Sequence, residues 1–216
     1  MDYIELHCHS NFSFLDGASH PEELIDRAHE LGYRSLALTD HDGLYGVVRF
    51  DQAAKEKKIK AIFGSEITLS EHPEDETAPR YHLVLLVKDP KGYANLSQLC
   101  TAAQMSHDKG HACATLEMLD RHRDGLIALS GCPLGEIPTA ILRGETSQAT
   151  RIAERYHELY GRDNFYIELQ HHHLPLHERL CRKLVELAER LHRSEEHTSE
   201  LQSHHDLVCR LLLEKK

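Results

Sequence analysis

Several absences narrow what this 216-residue chain can be. Its six cysteines (Cys8, Cys100, Cys113, Cys132, Cys181 and Cys209) form no Cys-x-x-Cys pair and keep no regular spacing, which argues against a zinc knuckle or a disulfide framework and fits a reducing compartment. No apolar run approaches membrane-spanning length, and the amino terminus lacks the basic and apolar regions of a signal peptide, so a cytoplasmic location without membrane association is expected. Basic charge is also short. Thirty-five acidic against 25 basic residues leave a net charge of −10, the wrong sign for a surface that grips nucleic acid by neutralising phosphates. There is no glycine-rich phosphate loop, no nucleophile elbow and no repeat of fixed period, which disfavours a nucleotide fold, a serine hydrolase and a solenoid.

What the chain does have is histidine, 19 of them, and alternating strand and helix patterns. Apolar segments at Tyr3–Leu6, Ser35–Thr39, Ile59–Leu69, Tyr81–Val87, Leu126–Ser130 and Phe165–Leu169 read as strands. Between them, helical periodicity predicts helices from Ser19, where Ser19 and Glu22 form a capping box and Leu24, Ala28 and Leu31 a stripe, to Gly32. Further helices are predicted at Tyr45–Lys57 with Val48, Ala53 and Ala54 inward, and at Tyr93–Met105, Pro133–Leu142, Gln148–Tyr160 and Pro175 to about His192. In the last of these, Leu180, Leu184, Leu187 and Leu191 make the apolar stripe. The acidic segment Ser70–Arg80, with two prolines, is expected to be a loop. This alternation predicts a parallel βα-repeated architecture, in which chemistry collects at the carboxyl ends of strands.

Metal-ligating residue types fall at those ends. His7 and His9, two apart on a strand, project from one face and can close on one ion. Asp40-His41 ends the next strand, and Glu66 follows Gly64, whose lack of a side chain permits close backbone approach. His82 and Cys132 complete the set, with Asp16 in an Asp-Gly dipeptide that serves a turn equally well. His82 can also be read as a buried hydrogen-bonded histidine and Cys132 as a small core residue. Alternate members of His171-His172-His173 could ligate metal at the end of the Phe165 strand, although a polar loop is the preferred reading, and His107 and His111, on a loop rich in polar residues, stay open between the same two readings. Imidazoles with carboxylates suit zinc, manganese or iron, ions that polarise phosphate oxygens and activate water.

Residues 7 to 17, His-Cys-His-Ser-Asn-Phe-Ser-Phe-Leu-Asp-Gly, and 38 to 50, Leu-Thr-Asp-His-Asp-Gly-Leu-Tyr-Gly-Val-Val-Arg-Phe, resemble the N-terminal PHP (polymerase and histidinol phosphatase) domain of bacterial C-family DNA polymerases. Asp42 within Thr39-Asp40-His41-Asp42-Gly43 is similar to the error-prone, damage-inducible branch, and the likeness continues through Phe63-Gly64-Ser65-Glu66, His82-Leu83, Gly92–Leu96 and Leu129–Cys132. It spans about residues 2 to 192. The resemblance implies an α/β fold, a PHP-type distorted (β/α)7 barrel truncated before its last strand. It also implies up to three divalent metal ions, zinc or manganese, on His7, His9, Asp16, His41, Glu66, His82 and Cys132, with Asp40 supporting the site. It further implies that the polymerase region of a parent protein is the partner, that DNA is met only through regions absent here, and that the fragment itself cannot polymerise DNA. A metal-dependent phosphoesterase or 3′–5′ exonuclease and a purely structural metal module are the alternatives, ahead of a standalone histidinol-phosphate phosphatase. Residues 193 to 216 lack hydrophobic periodicity, look like translated sequencing adapter and are expected to be a non-native tail behind an incomplete PHP domain at 1 to 192.

Overall fold

A computed structural model describes residues 3–75, 77–108, 110–170, 175–196 and 208–209. They form two compact units, Met1–Leu126 and Ile127–Lys216. In the first unit, α1 (Pro21–Glu30) leads to β1 (Ser35–Leu38), α2 (Val47–Lys57), β2 (Lys60–Leu69), β3 (Tyr81–Val87), α3 (Pro90–Met105) and α4 (Leu116–His122). Strand β4 (Leu126–Leu129) begins at the last residue of the first unit, and the second unit holds the rest of it with α5 (Glu136–Leu142), α6 (Thr146–Tyr160), β5 (Phe165–Glu168), α7 (Pro175–Glu196) and a two-residue strand, β6 (Val208–Cys209).

Strand β1 runs parallel to β2, with Leu38 opposite Phe63, and all four of its residues are buried, as the continuous apolar run requires. Strand β3 departs from the all-parallel expectation. It turns back antiparallel on β2 after the Ser70–Arg80 connection, pairing Thr68 with His82 and Glu66 with Val84. That connection carries no crossover helix, and without one two consecutive strands can only pair antiparallel. The expected first strand is reduced to a single bridge, Glu5 to Leu36, with further hydrogen bonds from Ala37 N to Glu5 O and from Thr39 N to Cys8 O.

Helix α1 caps one residue later than predicted. Glu23, not Glu22, accepts the N–H of the N-cap residue His20 at 2.7 Å, and Pro21 takes the first helical turn, where its missing N–H costs nothing. The buried stripe shifts accordingly to Pro21, Ile25 and Ala28, leaving Leu31 exposed after the helix ends. Helix α2 begins at Val47, so Val47, Phe50 and Ala54 face inward while Val48 lies in solvent. These residues join Ile25, Leu36, Leu38 and Ile59 in one core between the two helices and the sheet. Helix α3 starts three residues before its apolar pattern because Asp89 caps it, accepting from Gly92 N at 2.8 Å, with Pro90 behind it. Short α4, absent from the helices that periodicity predicts, is capped by Thr115.

In the second unit β4, β5 and β6 are parallel, with Ala128 opposite Phe165 and Ile167 opposite Val208. Helix α6 lays Tyr156 on Phe165, with ring centroids 5.6 Å apart, and the Tyr156 hydroxyl donates to Glu136, which also pairs with Arg155. In α7, Leu180, Leu184, Leu187 and Leu191 are all buried, as their spacing predicts. Its backbone runs to Glu196, past the expected end near His192. Apart from that end and the Val208–Cys209 pair, the tail expected at 193–216 lies outside the described residues, and so do His171, His172 and His173.

Candidate metal centre

Six side chains from five stretches of the first unit converge, four imidazoles of them directly around the Glu66 carboxylate. His7 and His9 follow the Glu5–Leu36 bridge, Asp16 closes the next loop, His41 lies just past β1, Glu66 sits in β2 and His82 near the start of β3. Glu66 is not at a strand end as expected, because β2 continues into its hairpin with β3. It is instead at the level where β1 has ended, paired through a bridge with His41. The antiparallel sense of β3 then brings that strand's beginning, and with it His82, to the same rim. Gly64 does allow a close approach: a Cβ there would meet Leu85 O at 2.6 Å.

Glu66 is 1% exposed. His7 Nε2 lies 3.4 Å and His82 Nδ1 3.1 Å from its Oε1, while His9 Nε2 at 3.3 Å and His41 Nδ1 at 3.2 Å flank Oε2. Burial pushes the Glu66 carboxyl up, but hydrogen bonding with His7, His82 and His9 outweighs it and holds the group far below the usual carboxylate range. Burial likewise pulls the His82 imidazole down, and Glu66, with help from the Asp42 charge, brings it above its ordinary value. On the open side, Asp16 Oδ2 lies 2.6 Å from His9 Nδ1 and 3.2 Å from His41 Nε2. Its partial burial raises the Asp16 carboxyl, and the contacts with His9 and His41 win and lower it.

Three sets of donors are grouped closely enough to hold an ion: His7, His9 and Glu66; His9, Asp16 and His41; His41, Glu66 and His82. Their geometry fits a cation. Tetrahedral zinc with ligands at about 2.0–2.1 Å sets donor atoms about 3.3 Å apart. In the first set, His7 Nε2 and His9 Nε2 are 3.1 Å apart and their distances to the Glu66 oxygens are 3.4 and 3.3 Å. Glu66 Oε1 is buried and faces the His7 and His82 ring nitrogens, so its lone pairs are aimed into the cluster. A neutral imidazole offers one lone pair, so His9 serves either its Glu66 side or its Asp16 side. With Nε2 toward Glu66, its Nδ1–H donates to Asp16, the carboxylate–histidine arrangement that fixes ring and tautomer at metal sites.

Cys132 belongs to the second unit, two residues beyond Ser130, whose hydroxyl accepts from Glu168 N. His107, just past the end of α3, turns back to the Ala103 carbonyl of that helix, and neither it nor His111 joins any of the three donor sets. Cys8, between the two histidines, has its thiol pushed up to about 12 by burial and then by Glu5 and Asp40, and it joins none of the three donor sets. Ser10, Ser13 and Thr39, which tie the ligand-bearing segments together, are not singled out by sequence reasoning. Their only signal is that small hydroxyl residues stand one and four positions after His9 and two before His41.

An α/β domain with an imidazole–carboxylate cluster on the rim of its sheet defines the class of fold. Within that class the assignment is specific: residues 5–172 match the PHP domain, and the chain belongs to that family. It is 43% identical over 208 residues to an error-prone DNA polymerase of Symbiobacterium thermophilum, covering 88% of this chain and 18% of the relative. It is 38% identical over 197 residues to the DNA polymerase III subunit alpha of Treponema pallidum, covering 88% and 17%. The chain thus spans less than a fifth of the length of these relatives. Among solved structures, a candidate metal-dependent phosphoesterase from Bifidobacterium adolescentis superposes with a TM-score of 0.54 at 17% identity, covering 88% of this chain and 84% of the other. An amidohydrolase from Chromobacterium violaceum gives 0.53 at 19% identity, with the same coverage. These likenesses bear out the expected α/β, PHP-type fold. Among the described residues no helix is long and apolar enough to cross a membrane.

Proposed function

We propose that this chain is the N-terminal PHP portion of an error-prone DNA polymerase and serves there as a module that binds divalent metal. The observation that carries the reading is the convergence of His7, His9, Asp16, His41, Glu66 and His82, each with a donor atom turned into one cluster. Cys132 is retained as a candidate ligand from the family likeness alone. The polymerase region of the parent is the proposed partner, nucleotidyl transfer in translesion synthesis and repair is the parent's proposed activity, and the cytoplasm its proposed location. In this reading DNA is gripped outside the acidic PHP portion.

When bound, divalent ions in such a cluster polarise phosphate oxygens and activate water. The residues divide that task by position. Buried Glu66 and His7 anchor the closed side, whereas Asp16, 60% exposed at its side chain, and His41 border solvent and are the groups a phosphoester would meet. That open side favours a metal-dependent phosphoesterase or 3′–5′ exonuclease as the second reading, over a purely structural module. Metal content after dialysis tests the first reading: at least one zinc or manganese retained per chain is expected, and a chain that retains none refutes it. Release of phosphate from p-nitrophenyl phosphate, or of nucleotides from single-stranded DNA, by the manganese- or zinc-loaded chain tests the second. Inertness on both substrates with metal bound leaves the structural module.

A further inference from the structure

Asp40 is 2% exposed, and no cation among the described residues pairs with it. A carboxylate in such a place needs its lone pairs met. Here they are met by donors from one loop. Asp40 Oδ1 accepts from Ser10 N at 2.7 Å and from Ser13 Oγ at 2.7 Å, and Oδ2 accepts from Ser10 Oγ at 2.7 Å. Ser10 and Ser13 are themselves buried and belong to the segment that carries His9 on one side and Asp16 on the other. The Ser13 hydroxyl also accepts from His41 N at 3.1 Å. The Asp40 main chain reaches the remaining strand, since its carbonyl accepts from Glu66 N at 3.1 Å and from Ser65 Oγ at 2.8 Å. The surroundings are closed: a Cβ on Gly46 would lie 3.1 Å from Asp40 Oδ2.

One residue is therefore bonded to all three segments that supply the His9, Asp16, His41 and Glu66 donors, while none of its own atoms joins the cluster. We propose that Asp40 is the positioning residue of the metal centre, setting the separation of the His7–Asp16 loop from His41 and Glu66 so that their donor atoms converge on a cation. The inference rests on the metal-binding reading above. Its basis is geometric: the site presents three donors and needs an acceptor with several lone pairs, which a carboxylate supplies. An asparagine keeps the shape. Its carbonyl oxygen can hold Ser10 N and Ser13 Oγ while its amide donates to the Ser10 hydroxyl, so the three contacts persist without the charge.

The test is titration of the 216-residue chain with Co2+, read by the visible absorption of the bound ion, whose shape reports coordination geometry, beside the melting temperature of the metal-free protein. Asp40→Ala is expected to weaken Co2+ binding about 10- to 100-fold and to change the absorption band, with Asp40→Asn within about threefold of the wild type. Should Asp40→Ala fail to fold, Ser13→Ala takes its place: it removes the bridge between Asp40 and His41 N and is expected to weaken binding about 3- to 10-fold, with metal-free melting lowered by the polar groups left unmet. Asp40→Ala that lowers only metal-free melting, with unchanged affinity and band, overturns the proposal, and so does unchanged binding by Ser13→Ala. Equal losses from Asp40→Asn and Asp40→Ala also overturn it, by assigning the effect to charge. A wild-type chain that takes up no Co2+ overturns the metal reading together with this one.

Discussion

His7 and His9 hold their Nε2 atoms 3.1 Å apart, while the backbone of Cys8 between them is tied to Thr39 by hydrogen bonds in both directions. Two imidazole nitrogens at that distance, with the Glu66 carboxylate beside both, share either a proton or a cation. With zinc at 100 times its Kd, stability should rise by about 2.7 kcal/mol. That corresponds to about 5–11 °C in Tm for a chain of this size. Replacing His7 and His9 together by Ala should abolish the rise, which a thermal melt with and without zinc will show. An equal rise in the double variant would place the ion elsewhere.

The same cluster predicts opposite pH trends with and without metal. In the metal-free chain His82 is raised above 6.5, so its contribution to stability is full below that pH and is lost as pH climbs through the folded value. Glu66 is lowered from 4.5, so its contribution is present above that pH and fades as pH falls. Together they favour the metal-free fold most between about pH 4.5 and 6.5. A bound ion replaces protons on imidazole, so the loaded chain should go on gaining stability above 6.5. Urea midpoints measured against pH with chelator and with zinc should diverge there, and parallel curves would contradict metal binding by these imidazoles.

The two-residue spacing of His7 and His9 and the strand-end position of Asp40-His41 make half of the cluster legible in the amino-acid sequence, because side-chain period and strand polarity are local properties. His82 is legible as a residue but not as a position. Its role depends on β3 running antiparallel, which the apolar run Tyr81–Val87 cannot reveal since a buried strand reads alike in either direction. Val47 and Val48 show the same limit in a helix, where a shift of one residue in the start rotates the inward face. Ser10 and Ser13 are unreadable because a hydroxyl's partner, Asp40, lies about 30 residues away in sequence and is brought in by tertiary structure alone.

Gly17 is fixed by contact. A Cβ there would stand 2.0 Å from Ser10 O, and Gly17 N already donates to Ser13 O at 2.9 Å. Gly17→Ala must therefore push apart the loop that carries Asp16. A loss of about 1–3 kcal/mol is expected from the overpacking, with weaker metal binding alongside. Urea denaturation and a Co2+ titration of the same variant check both. Unchanged affinity would show that Asp16 is not held by this turn.

Leu15 presents the opposite case, strain without packing. Its φ is +68° and its side chain is fully exposed, so nothing it touches offsets the left-handed backbone. That conformation costs an ordinary L-residue about 1–2 kcal/mol, and Asn adopts it more readily through local hydrogen bonding. Leu15→Asn is accordingly expected to stabilise the chain by about 0.5–1 kcal/mol. Because the side chain is fully exposed and supplies no donor to the cluster, Co2+ affinity should stay within about twofold of the wild type. Denaturant midpoints and the Co2+ titration decide the matter together. A gain in stability with unchanged affinity shows that the turn geometry, and not the leucine, presents Asp16. A loss of stability would show that Leu15 is packed in solution, and the strain argument would then fail.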